Sequence, residues 1–158
     1  MSYPEEIFVS TYNRYIDMVY RLCFSFLKNK EDTEDAVQSV FVKYLKSNKK
    51  FENESHEKAW FIVTASNLCK DMLRQSWRRN VSIETYDFIP DTEDTANDDV
   101  YMAIMNLPNK YKTVVYLYYY EGYKTNEIAE MLHKPSSTIR NYLTEARRYL
   151  KKILGGIE

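Results

Sequence analysis

From Thr125 to Leu150 the apolar residues recur at helical spacing with a single interruption, and this pattern constrains the fold more than any other part of the chain. Ile128, Ala129 and Leu132 fall on one face of a short helix, as the helical period requires. Thr125 is placed to cap that helix, because its hydroxyl can accept a bond from a first-turn N–H, and Glu127 suits the positive end of the dipole. Pro135 then breaks the pattern, since the residue before a proline is pushed out of the helical region. Ile139, Leu143, Ala146 and Leu150 resume it at steps of four, three and four. Among them stand Ser136, Ser137, Thr138, Arg140, Asn141, Thr144, Arg147 and Arg148. A short helix, a tight break and a longer helix that is apolar along one stripe and basic along another is an arrangement that the major groove of DNA admits. The same spacing also serves plain packing of two amphipathic helices with arginines in solvent. Moreover, His133 occupies the turn, where glycine is the usual left-handed residue. The rest of the chain has to decide between the two readings.

With only 3 glycines and 4 prolines in 158 residues, there is little material for a turn-rich β structure, so an all-α fold is expected. Nothing resembles a signal peptide and no apolar run approaches the ~20 residues of a membrane span, so no membrane insertion is expected. Cys23 and Cys69 stand alone in helical patterns and read as reduced core residues, which suits the cytoplasm. Catalytic chemistry finds no foothold. The chain has no nucleophile beside a base, no carboxylate pair in a catalytic setting and no phosphate-cradling glycine loop, and its only histidines are His56 and His133. A non-enzyme without metal or cofactor is therefore expected.

The net charge of −1 conceals a strongly uneven distribution. Glu84, Asp87, Asp91, Glu93, Asp94, Asp98 and Asp99 crowd residues 81–100, which contain no lysine or arginine. Before them, Lys70, Arg74, Arg78 and Arg79 face only Asp71. After them, Lys134, Arg140, Arg147, Arg148, Lys151 and Lys152 face only Glu145. A nucleic-acid binder is judged by such local patches rather than by its overall charge.

The apolar period marks a long first helix from Pro4 to Lys28, a break at Asn29-Lys30, and a second helix begun by Asp32 or Thr33 with Ala36, Val37, Val40, Phe41, Tyr44 and Leu45 inward. A polar loop follows, and Ser55 can cap a third helix that runs through Ala59, Ile62 and Cys69 to about Arg79. Asp98-Asp99 suits another helix start, with Val100, Ile104 and Leu107 inward; Pro108 opens the next helix as a first-turn residue, and Gly122 is placed to end it. The expected architecture is two small helical bundles, residues 1–80 and 98–158, joined by a flexible acidic linker over 81–97, the second bundle ending in the helix-turn-helix.

Four segments stand in order along the chain: Glu31 to Phe41 with its acidic start and Gln38; Lys58-Ala59-Trp60-Phe61 with Thr64 to Arg74; Asn106-Leu107-Pro108 through Val114 to Glu121-Gly122-Tyr123; and the helix-turn-helix. Together they resemble a bacterial RNA polymerase sigma factor of the sigma-70 superfamily, in the small two-domain extracytoplasmic-function group. The resemblance covers roughly residues 5–80 and 98–154. It implies that residues 1–80 are the domain that binds core RNA polymerase and the minus-ten element, with Asp35, Gln38 and Phe41 on polymerase and Asn67, Lys70, Asp71 and Arg74 on DNA. It implies that residues 98–158 bind the minus-thirty-five element of promoter DNA through Ser136, Ser137, Thr138, Arg140, Asn141, Thr144, Arg147 and Arg148. It further implies that the linker acids thread polymerase channels that otherwise hold nucleic acid, and that an anti-sigma factor is a further partner of the kind members of this family often have.

Each assignment has a plainer counterpart. Glu31, Asp32, Glu34 and Asp35 suit any solvated helix start. Asp71 can serve only to orient Lys70 or Arg74. Phe51 suits a core plug as well as a surface that stacks an extruded base, and Trp60 suits the core. Tyr142 and Glu145 occupy positions where sigma recognition helices commonly carry basic residues. Two other whole-chain functions fit part of the pattern: a stand-alone helix-turn-helix regulator, and a sigma-like co-regulator of polymerase.

Overall fold

The computed structural model describes residues 3–47, 49–78 and 99–154, the side chains of 3, 4, 77 and 78 excepted, and all regular structure among them is helical. The expected acidic linker and Arg79 lie outside the described residues. The chain divides into two compact units, Met1–Pro90 and Asp91–Glu158.

The first unit packs three helices, α1 (Tyr3–Leu27), α2 (Lys30–Ser47) and α3 (Glu54–Arg78), each against the other two. Asparagines set its boundaries, and they do so earlier than the apolar period suggests. The chain leaves α1 at Lys28, whose φ of 64° is left-handed. Asn29 then caps α2: its Oδ1 accepts the Asp32 N–H at 2.8 Å and its Nδ2 donates to the Asp32 carboxylate at 2.9 Å. So α2 starts at Lys30, ahead of Asp32 and Thr33. Likewise Asn53, not Ser55, caps α3, with Oδ1 accepting the His56 N–H at 2.9 Å.

Phe61, fully buried, sits at the centre of this unit, its ring centroid 4.8 Å from Tyr15, 5.3 Å from Phe41, 5.2 Å from Tyr44 and 5.1 Å from Trp60. Val19, Leu22 and Cys23 from α1, Ala36 and Val40 from α2, and Ile62 and Cys69 from α3 complete the core. Leu45, expected inward, is 53% exposed. The inward stripe of α2 has passed by then to Tyr44, whose ring meets Phe51, Trp60 and Phe61.

The second unit consists of α4 (Asp99–Met105), α5 (Asn109–Tyr119), α6 (Thr125–Leu132) and α7 (Ser136–Leu154), with α7 packed on the other three. Val100 is 45% exposed rather than inward, because Tyr101, Ala103, Ile104 and Met105 take the buried side of so short a helix. Pro108 is the N-cap of α5, one residue outside it. That helix ends at Tyr119; Gly122 follows with φ 72°, a conformation that glycine adopts without penalty, and turns the chain so that the Tyr123 N–H reaches the Leu117 carbonyl at 3.1 Å.

Candidate nucleic-acid and polymerase interfaces

The α6–α7 pair is held by its termini. Lys124, not Thr125, is the N-cap of α6, and its N–H donates to the Glu127 carboxylate at 2.8 Å. A lysine side chain has no acceptor, so only this half of a capping box exists. At the other end His133 adopts φ 55°, ψ 46°, the left-handed conformation, without being glycine. Its neighbour's N–H, that of Lys134, reaches the Ala129 carbonyl at 3.0 Å. The chain then enters α7 through Pro135, whose carbonyl accepts the Thr138 N–H at 3.0 Å, and the Ser136 hydroxyl donates to Asn126 Oδ1 at 2.9 Å across the pair.

Ile139, Leu143 and Ala146 are buried along α7 and fix its rotation. Ser137, Arg140, Asn141, Thr144 and Arg148 are exposed, on the stripe that the helical period turns away from the buried residues. Thr144 donates its hydroxyl proton to the Arg140 carbonyl at 3.0 Å, which leaves its oxygen free to accept outward. Arg148 is 3.3 Å from Glu145, so that acid tempers one cation of the stripe. Ser136, Thr138 and Arg147 stand at its edges rather than on it. Arg147 donates from Nε to the Tyr119 hydroxyl at 3.3 Å, and that bond holds its guanidinium above the ordinary arginine pKa. Tyr142 is half-buried, its ring 5.4 Å from Tyr111 in an edge contact. It is a packing residue on the flank that faces α5.

On α3, Asn67, Asp71 and Arg74 are exposed and Lys70 is half-buried. Their spacing puts all four on one strip. Asp71 is ion-paired with Arg74, the orienting contact that the helical spacing allows. At the start of α3, Phe51 lies parallel to Tyr44 with centroids 6.5 Å apart, and Trp60 stands edge-on to both. Phe51 and Trp60 are half-buried, wall residues rather than core.

Beneath that wall lies a group that the sequence pattern did not single out. Glu57 accepts from the Tyr15 hydroxyl at 3.0 Å and from the Tyr44 hydroxyl at 3.3 Å, and Arg14 approaches it at 3.6 Å. One carboxylate thus joins all three helices. Burial first, and then the Glu57 charge, push the Tyr15 hydroxyl up to about 12. Its partners are separated by 13 and 42 residues in the chain, so no local motif could have marked it.

Of the residues assigned to polymerase, Asp35 and Gln38 are exposed on α2, whereas Phe41 is 3% exposed. Its ring is 4.8 Å from Tyr12 and 6.3 Å from Phe8. All three line a groove of about 640 Å³ between α1 and α2, with Asp35 and Gln38 on its wall and Phe41 in its floor. Among the described residues no group of His, Cys, Asp and Glu is arranged to hold a metal ion. No helix of the described residues is long and apolar enough to cross a membrane.

Comparison with known proteins finds relatives of both units. Residues 11–79 match the family described as Sigma-70 region 2, and residues 97–150 match Sigma-70, region 4. The RNA polymerase sigma factor SigV of Bacillus subtilis (strain 168) is 33% identical over 135 residues, covering 84% of this chain and 81% of SigV. The ECF RNA polymerase sigma factor SigX of the same organism is 27% identical over 164 residues, covering 94% of this chain and 84% of SigX. Among solved structures, the sigma factor RpoE, crystallised with the anti-sigma factor NepR from Bartonella quintana, superposes with a TM-score of 0.72 at 19% identity, over 95% of this chain and 98% of that one.

Proposed function

The chain belongs to the sigma-70 family of RNA polymerase sigma factors, in its extracytoplasmic-function group, and from that premise we propose how its two units share the work. A sigma factor binds core RNA polymerase and directs promoter-specific initiation of transcription, and that is the function of this protein. The division of labour is the finer reading: residues 1–80 engage polymerase and the minus-ten element, 81–97 form an acidic linker, and 98–158 grip the minus-thirty-five element.

The observation that carries the second assignment is the outward stripe of α7, where Arg140, Asn141, Thr144 and Ser137 are exposed opposite a buried Ile139-Leu143-Ala146 seam. Arg140 and Asn141 are the residue types that read guanine and adenine edges in the major groove, while Arg147 and Arg148 suit the phosphates. On α3, Asn67, Lys70 and Arg74 face the minus-ten element, and Asp71 fixes the rotamer of Arg74 through their ion pair. Polymerase contact rests on Asp35 and Gln38 at the lip of the α1–α2 groove; Phe41 supports that lip from below.

Sigma factors are non-catalytic regulators, and this chain works without a catalytic group, metal or cofactor. It acts in the cytoplasm, where polymerase is. An anti-sigma factor is a further partner, a reading supported by the complex in which the RpoE relative was solved.

In vitro transcription with core polymerase on a pool of genomic fragments tests the reading. New, sharply defined start sites that require the protein are expected, with common upstream elements. Binding to core polymerase without new starts would identify a co-regulator instead, and no polymerase binding would leave a stand-alone DNA-binding regulator.

A further inference from the structure

The ammonium of Lys110 lies over two tyrosine rings, 5.2 Å from the centroid of Tyr111 and 5.8 Å from that of Tyr142. Lys110 belongs to the first turn of α5, yet Tyr142 belongs to α7, one residue beyond Asn141 and two beyond Arg140. The contact therefore fastens a cation from another helix to the side of α7. We infer that Lys110, seated on the Tyr111 and Tyr142 rings, is a DNA-phosphate contact of the second unit, and that Tyr142 is the positioning residue that holds it. The inference rests on the reading of α7 as a groove-binding helix.

Three observations support it. First, the seat preserves the charge. A carboxylate partner neutralises a cation, as Glu145 does in part for Arg148. An aromatic face attracts the ammonium through its quadrupole and leaves the donors on the far side available. Lys110 is exposed, and among the described residues no carboxylate pairs with it. Second, the place is right. A helix in a groove about 12 Å wide meets base edges with its outward stripe and the two phosphate walls with its flanks. By the helical period, Tyr142 and Arg147 stand on opposite flanks of the stripe that bears Arg140, Asn141 and Thr144. Arg147 is held on its flank by the Tyr119 hydroxyl. Lys110 supplies the corresponding cation on the other. Third, beside Arg140 and Asn141 α7 offers no cation of its own on that side: Thr138, Tyr142 and Glu145 occupy it there, and Lys152 joins the same face only in the last turn of the helix. The ring contact also restricts a side chain that otherwise loses rotamer freedom on binding.

The experiment measures binding of the reconstituted holoenzyme to a duplex carrying the upstream element recovered from the transcription pool, across a range of salt. Each phosphate contact contributes about 0.9 to the slope of log K against log salt. Lys110→Gln is expected to lower that slope by about one without changing which base pairs are preferred. Tyr142→Leu should lower it as much, Tyr142→Phe should leave it unchanged, and the double variant Lys110→Gln/Tyr142→Leu should lower it no further than either alone. An unchanged slope in Lys110→Gln overturns the inference, and so does a loss in Tyr142→Phe equal to that in Tyr142→Leu. Should Tyr142→Leu fail to fold by circular dichroism, Lys110→Gln and Tyr142→Phe still decide the matter. Arg140→Ala separates this inference from its premise. If Arg140→Ala weakens binding and Lys110→Gln does not, only the Lys110 contact is wrong; if neither has an effect, α7 does not meet DNA and both readings fall.

Discussion

Both units of the molecule rely on tyrosine, but they give it opposite partners. In the first, Tyr15 and Tyr44 aim their hydroxyls at a carboxylate, Glu57, inside the α1–α2–α3 packing. In the second, Tyr119 receives a hydrogen bond from Arg147, and the rings of Tyr111 and Tyr142 carry the ammonium of Lys110. A tyrosine that donates to a half-buried acid ties helices together. A tyrosine that accepts from a cation, or lies beneath one, leaves a positive charge in solvent at a chosen place. The same side chain therefore builds rigidity in one unit and, on the proposed reading, a binding surface in the other.

The sharpest way to break the comparison is to remove what the first unit is built around. Phe61→Ala should cost that unit about 3–5 kcal/mol, because four neighbouring rings cannot collapse into the space, and denaturant unfolding followed by Trp fluorescence should register it. Next in size, Arg140→Ala should weaken holoenzyme binding to the upstream promoter element by about 1–3 kcal/mol and relax its sequence preference, while thermal unfolding of the protein stays unchanged. Glu57→Ala should destabilise the first unit by about 1–3 kcal/mol, since Tyr15 and Tyr44 lose their acceptor; its effect on upstream-element binding should be negligible. Smaller still, Tyr119→Phe should lower upstream-element affinity by no more than about 1 kcal/mol, because Arg147 keeps its charge and loses only its tether.

A pH titration sharpens the same contrast. Tyr15 has its pKa raised to about 12 from an ordinary 10.0, so the folded state holds a proton that the unfolded chain gives up. The associated stability is complete below pH 10.0 and is lost as pH climbs to about 12. Tyr15→Phe should flatten that part of the stability profile.

The sequence made the helices legible because their apolar stripes are long: Ile139, Leu143 and Ala146 are all buried, as the period of α7 required. Ends were harder. Asn29 caps its helix ahead of Asp32 and Thr33, and Asn53 ahead of Ser55, because a cap depends on where one side-chain oxygen finds an N–H. Leu45 and Val100 read as inward by period yet are exposed, since which apolar residue wins a place at a helix edge depends on its neighbours' rings. At the interfaces, the outward position of Arg140 and Asn141 followed from the stripe. The burial of Phe41 followed from the period of α2 as well, at odds with the polymerase contact assigned to it; the Glu57 junction did not, because it depends on side chains far apart in the chain meeting in space.

His133 and Lys28 turn the chain through left-handed backbone without glycine, in a protein that has only 3 glycines in all. A side chain at such a position raises the energy of the turn, but it also narrows the conformations open to the chain before it folds. Glycine at residue 133 would make the corner between α6 and α7 pliable. Histidine makes it a fixed bracket. On the proposed reading, a helix pair mounted on such a bracket is presented to DNA at one angle, so that a bent or imperfect site is met by adjustment of the double helix.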